Sequence, residues 1–331
     1  MASIGTLDPR PVDRPGRPDP VREGTPPAAR ARRPTRRHLQ IALGLLWLLD
    51  GALQLQPFMF SRRFATQVIA PVASGQPAWV AWPVRHAASV IGAHPVPANV
   101  TFALVQLGLG AAFLVRRTVR PAVVFSVAWA MSVWFLGEGL GGLAGGTASL
   151  LAGAPGAVAL YGVLALAAWP GSDGAAGRGR PVASWFPVAW AVLWLDLAVV
   201  ALLPANRSAG AVRDQVEATA GQVPGWLAHV DGVLGADTGH LGPWAPVALV
   251  AVPAVIGLLG LGTVRQRRLA GCAGILVALA VWMVGEGLGL LTSGSATDPN
   301  SGPLLALCGV ALLGVRDPAP VPTVSSADDP V

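Results

Sequence analysis

"VWFLGEGLGGL" (Val133–Leu143) and "VWMVGEGLGLL" (Val281–Leu291) agree at eight of eleven positions, and each sets a glutamate between glycines after an apolar run. A carboxylate at such a place is expensive unless the run crosses a membrane and ends near its surface. The similarity continues outward on both sides. "LWLLDGALQLQP" (46–57) parallels "LWLDLAVVALLP" (193–204), "AWVA" (78–81) parallels "GWLA" (225–228), and "ALYGVLAL" (159–166) parallels "ALCGVALL" (306–313). The offset is 147 residues for these three and 148 for the glutamates, the mark of an internal duplication.

Composition fits that reading. The 331 residues are 53% hydrophobic and 12% charged, about half the charge of an average soluble protein. Eight apolar segments follow at about 39–57, 98–115, 121–143, 154–170, 185–203, 243–264, 269–291 and 302–315. The last is short for a span of about 20 residues. The expected fold class is therefore all-α, a polytopic membrane protein whose eight transmembrane helices form two parallel four-helix repeats. Each repeat has one helix, a long outer loop, a hairpin with an Arg-rich turn, and a fourth helix. Because four is even, the second repeat enters from the same side as the first, so the repeats are parallel.

The domain plan is a basic cytoplasmic tail (1–37), repeat one (38–170, outer loop 58–97), a linker (171–184), repeat two (185–316, outer loop 204–242) and a second tail (317–331). Both tails are polar and Pro-rich, and read as disordered. Arg116, Arg117 and Arg120, then Arg178 and Arg180, then Arg265, Arg267 and Arg268 fall in alternate connections on the side of the basic tail. That side is cytoplasmic by the positive-inside rule. "TRRHL" before the first helix reads as the same anchor, not as an export signal. Arg62, Arg63 and Arg85 are the exceptions, on the outer side. The outer loops read as surface-lying amphipathic helices, about 61–73 with 79–91 and 211–220 with 224–234. The expected location is the inner (plasma) membrane of a bacterium, the source being suggested by an Ala-, Gly- and Arg-rich chain without lysine.

Glu138 and Glu286 each lie eighteen residues beyond the last arginine of their turn, Arg120 and Arg268. At about 1.5 Å per residue that is roughly 27 Å, near the far boundary of the hydrocarbon core. Two readings stay open. The carboxylates reach the outer headgroups or accept loop hydrogen bonds, or they face a cavity and bind a cation or relay a proton. Gly137, Gly141, Gly285 and Gly289 are expected to serve close helix packing, being spaced by four. Asp50 and Asp196 fall nearer mid-membrane, where a carboxylate must face the bundle or be protonated. With Gln54 and Gln106 in the first two helices, repeat one has the wetter interior and is the expected place of a polar site.

His86, His94, His229 and His240 lie in the outer loops and are weak metal candidates, without motif spacing. No histidine lies mid-helix, so no haem is expected. Without lysine there is no P-loop, and no nucleotide or nucleic-acid partner is expected. Asn99 and Asn206 match the glycosylation pattern only by chance in a bacterial chain. Cys272 and Cys308 read as small buried apolar residues. No catalytic motif occurs.

"IALGLLWLLDGALQLQP" followed by the hairpin "QLGLGAAFLVRRTVRPAVVFSVAWA" resembles the DoxX-like four-helix membrane proteins over residues 38–170. The resemblance implies an accessory subunit of a membrane redox or envelope complex, with quinone as the possible cofactor and membrane subunits and lipid as partners. It carries no catalytic residue over. The residues themselves suggest the alternatives of a small-solute or cation/proton-coupled transporter, or a structural or assembly factor.

Overall fold

The computed structural model describes residues 33–171, 180–208, 210–220, 223–230 and 244–316, with Gly232 and Gly242. Residues 1–32 and 317–331 of the expected tails, Arg178 in the linker, and Asp231, Asp237 and His240 lie outside the described residues. The described fold is helical: α1 Arg36–Leu53, α2 Ala78–Ala93, α3 Pro95–Leu114, α4 Val119–Leu136, α5 Ala157–Ala167, α6 Phe186–Val200, α7 Ala211–Ala220, α8 Trp244–Gly260, α9 Val264–Val284 and α10 Ser301–Leu313. Short helical turns fill Pro57–Ala73 ahead of α2.

Among the described residues, three stretches are long and apolar enough to cross a membrane: Pro95–Leu114, Arg116–Leu136 and Val264–Val284. Their outward faces carry exposed Leu104, Phe125, Leu269 and Leu276, residues that suit lipid and not water. Exposed tryptophans collect at the two ends of the bundle. Trp169 and Trp185 stand beside the arginine-rich turns, and Trp79, Trp82, Trp226 and Trp244 stand at the opposite, glutamate end. Two such levels are what a bilayer's two interfaces select.

The helices pair in the same way in both halves. In the first, α1 packs on α3, α3 turns into α4, and α4 packs on α5; in the second, α6 packs on α8, α8 turns into α9, and α9 packs on α10. Between the halves α5 packs on α10. Glycines set the closest approaches. A side chain at Gly110 would meet the Gly44 carbonyl at 2.8 Å between α1 and α3, and one at Gly309 would meet the Gly271 carbonyl at 2.9 Å between α9 and α10.

The arginine end is fastened by its own charges. Arg37 donates to the carbonyls of Phe113 (3.2 Å) and Leu114 (2.6 Å), and Arg36 to those of Trp169 (2.9 Å) and Pro181 (2.8 Å). The oxygens of Phe113, Leu114 and Trp169 lie at or just past the ends of α3 and α5, where helix carbonyls are unpaired and a cation is favoured. Thr35 caps α1, its hydroxyl accepting from the His38 backbone while His38 Nδ1 accepts from Thr35 N. Helix α1 thus starts two residues inside the segment expected as tail.

Three expectations need correction. α4 and α9 stop at Leu136 and Val284, not at 143 and 291, because the chain turns left-handed just beyond. α5 is only 11 residues long and α10 only 13. The segments before them, about 144–156 and 292–300, fold back and bury Ala148, Leu150, Ala154 and Ala296. Finally, Cys308 is buried but Cys272 is exposed on the surface of α9, so only one of the two cysteines is the buried residue expected.

Candidate functional site

Each "GEGLG" builds the same turn. Gly137 and Glu138 both return their N–H to the Val133 carbonyl, at 2.7 and 3.0 Å; Gly285 and Glu286 do so to Val281, at 2.8 and 3.0 Å. The backbone then reverses through positive φ at Gly139, Leu140 and Gly141, and at Gly287, Leu288 and Gly289. At Gly141 (φ 62°) a Cβ would lie 2.1 Å from the Pro155 carbonyl oxygen, and at Gly289 (φ 66°) 2.5 Å from that of Pro299. Those same carbonyls accept from the indole N–H groups of Trp134 (2.7 Å) and Trp282 (2.8 Å).

These contacts overturn the helix-packing expectation for the motif glycines. Gly141 and Gly289 lie past the helix ends, where left-handed φ and a touching carbonyl exclude a side chain. Gly285 abuts the Leu151 carbonyl at 2.4 Å from a would-be Cβ, a loop contact, and the nearest atoms to a Cβ at Gly137 are those of Val133 in its own turn.

The turn aims each carboxylate at the start of the next helix. Val158 N donates to Glu138 Oε1 at 3.2 Å in α5. Gly302 N donates to Glu286 Oε2 at 3.0 Å in α10, and the Ser301 hydroxyl donates to Glu286 Oε1. The N-terminal ends of α5 and α10 favour a negative charge, which offsets the unfavourable place at the ends of α4 and α9. Glu286 is only 3% exposed; Glu138 is half-buried, with Oε2 shielded and unpaired among the described residues.

Both glutamates line one polar cavity of about 790 Å³ at the glutamate end, together with Asp298, Asn300 and Arg63. Arg63 lies over the Phe58 ring, 5.7 Å from its centroid. A second, more apolar cavity of about 480 Å³ lies among α1, α2, α3 and α4 and contains Asp50, Gln54 and Gln106. Val68, Glu138, Thr297 and Asp298 belong to the walls of both. Asp298 is therefore the hinge of the arrangement. Its oxygens accept from Thr297 Oγ1 (2.7 Å) and Asn300 N (2.7 Å). Burial raises its carboxyl above the ordinary range, opposed by those two bonds. Burial also raises Glu138 and Glu286. The charge of Asp298 adds to both, while the Val158 N–H lowers Glu138 and the Ser301 and Gly302 donors lower Glu286.

Asp50 is 1% exposed and faces Tyr161, whose ring packs tilted by 32° against Trp47, with centroids 4.2 Å apart. The two groups interact, yet neither Asp50 Oδ1 nor Tyr161 Oη has a hydrogen-bond partner of good geometry among the described residues. Asp196 is half-buried on α6 and lines neither cavity, so it does not join the other four carboxylates.

The outer-loop histidines are dispersed. His86 stacks on Trp82 at the rim of the apolar cavity, and His94 and His229 are exposed elsewhere. Among the described residues no three His, Cys, Asp or Glu side chains group as metal ligands. Asn99 and Asn206 are buried and structural: Asn99 Nδ2 donates to the Gln54 carbonyl at 2.6 Å, and Asn206 Nδ2 to those of Ala148 (2.8 Å) and Val200 (2.9 Å). Asp298, Thr297 and Ser301 escape a reading of the sequence, where "TDPNS" signals only a turn. Compared with known protein families, curated proteins and solved structures, the chain matches none.

Proposed function

We propose that the protein is a cation- or proton-coupled membrane transporter built of two parallel four-helix repeats, with its arginine end in the cytoplasm. The single observation that carries this reading is the convergence of Glu138, Glu286 and Asp298, from both halves of the chain, on one polar cavity whose inner wall is shared with the chamber of Asp50. Carboxylates grouped at a membrane boundary and continued inward mark ion pathways and proton relays. A proton entering at Glu286 or Glu138 would meet Asp298 next and Asp50 deepest. Asp50 stands fourteen residues into α1 from Arg36, roughly 21 Å from the arginine end. From there to that end the axis is filled by Leu39, Leu43, Phe113, Leu160 and Leu164, all fully buried. On this reading the arrangement is outward-facing, and coupling would require the halves to rock about α5 and α10.

The test is proton flux into liposomes reconstituted with the full chain and loaded with a pH-sensitive dye. Glu138→Gln with Glu286→Gln should reduce flux to that of protein-free liposomes while the protein elutes as the wild type does. Undiminished flux in the double variant ends the reading. A second reading, the redox-complex accessory implied by the DoxX-like resemblance, draws support from the apolar chamber, which lies mostly within residues 38–170 and has room for a quinone ring. Quinone in the extract from native membranes would favour it.

A further inference from the structure

The inner chamber is a mismatched environment. Its walls are aromatic and aliphatic, from Trp47, Phe102 and Trp129, yet three buried side chains bring unpartnered acceptors to it, against one unpartnered donor, Trp129 Nε1. Asp50 Oδ1, Gln54 Oε1 and Gln106 Oε1 have no hydrogen-bond partner of good geometry among the described residues, on side chains of residues 1%, 4% and 9% exposed, although Asp50 also interacts with the Tyr161 hydroxyl. Glu138 Oε2 is a fourth, at the wall shared with the outer cavity. A buried acceptor left unmade is costly, so four beside one space select a ligand that brings donors. Among the described residues no arginine lines the chamber, and the basic group there, His86, is at the rim. The carboxylates facing it are Asp50, Glu138 and Asp298. A positive charge is the complement of that wall, and aromatic faces attract cations as well. At about 480 Å³ the space falls within the range of small-molecule sites.

We propose that this chamber binds a lipophilic organic cation, an amine whose N–H groups are held by Asp50, Gln54 and Gln106 and whose apolar body lies against Trp47, Phe102 and Trp129. A quinone fits less well, because it is uncharged and leaves the three carboxylates of the wall without a counter-charge. The rim is formed by Trp82, His86 and Val90 of α2, all exposed, so the ligand enters from the glutamate-side interface, where amphipathic amines concentrate. The inference deepens the transporter reading and rests on it only for the ligand's onward movement.

Equilibrium dialysis of the full-length protein in detergent, against 1-naphthylmethylamine, 1-naphthylmethanol and 1,4-naphthoquinone, tests it, with empty micelles subtracted. The amine should bind saturably at one per chain and about tenfold or more tighter than the alcohol, the worth of a charge-assisted hydrogen bond. Asp50→Asn should lose about that factor and Asp196→Asn none. If Asp50→Asn aggregates, Gln106→Leu takes its place and should weaken the amine several-fold. Equal binding of amine and alcohol, or tighter quinone than amine, overturns the proposal. Dialysis involves no flux, so the two readings fail separately. Saturable amine binding without proton flux leaves the site and removes the transporter, whereas flux without amine selectivity does the reverse.

Discussion

Replacing Gly141 by alanine tests the turn that positions Glu138. The new Cβ must sit at φ 62°, where an L-residue is disfavoured by about 1–2 kcal/mol. It would also stand 2.1 Å from the Pro155 oxygen, well inside contact distance, so that carbonyl has to move. Moving it breaks the 2.7 Å bond from Trp134 Nε1 and leaves a shielded donor and acceptor unpaired, worth about 1–3 kcal/mol more. The expected loss is therefore about 2–5 kcal/mol. Two further glycines calibrate the number. Gly146 shares the left-handed backbone at φ 70° but has nothing within 4 Å of where a methyl group would stand, so Gly146→Ala should cost only the first contribution, about 1–2 kcal/mol. Gly108, helical in α3 and equally uncrowded, should gain roughly 0.5–1 kcal/mol as alanine. Unfolding in mixed micelles, followed by far-UV circular dichroism, would read all three. If Gly141→Ala costs no more than Gly146→Ala, the Pro155 carbonyl does not press on Gly141 and the described turn is wrong.

Glu138→Gln should raise thermal stability near neutral pH. A raised folded pKa means that the native state holds the proton more tightly, so wild-type stability falls as pH rises from the ordinary carboxylate value, about 4, through the higher folded value. The variant's melting temperature should be flatter across that window; an equal pH slope in both proteins refutes the assignment. Asn206→Ala removes the donor shared by the Ala148 and Val200 carbonyls, which tie the re-entrant loop of the first half to the end of α6. A loss of about 2–3 kcal/mol in the same micelle titration is expected, and a neutral result would mean that water replaces the amide. Arg37→Ala should cost about 1–2 kcal/mol through the two freed carbonyls at the end of α3, whereas a change confined to expression level would point to topology alone.

The helical segments and the glutamates at the ends of two of them were legible because hydropathy and charge placement act along the chain. The helix ends were not. Apolar residues continue through Leu140 and Leu143, so periodicity runs on past the reversal, and a glycine spaced by four looks the same in a helix interface as in a left-handed turn. Asp298 escaped for a related reason. Its "DPN" signals a turn, but nothing local says that the turn folds back against Glu286 and Glu138 instead of facing solvent. The short α5 and α10 follow from the same folding-back, which a linear window for membrane spans cannot register.

The contrast between Asp50 and Asp196 shows how a single residue of register separates a site from its near-copy. Trp47 and Trp194 are both buried at matching places in α1 and α6. Asp50 follows its tryptophan by three residues and so shares its inward face, whereas Asp196 follows by two and is turned well away from it. The position that matches Asp50 is Leu197, fully buried, and the one that matches Tyr161 is Cys308. The second half thus has an apolar centre where the first has a carboxylate and a phenol. What it supplies instead is Asp298, which stands just before Pro299 where the first half has Ala154 before Pro155. Like turns in the two halves bring Glu138 and Glu286 to one cavity, and unlike residues beside those turns direct that cavity toward the first half alone. Among the described residues there are therefore two glutamate turns but one polar interior.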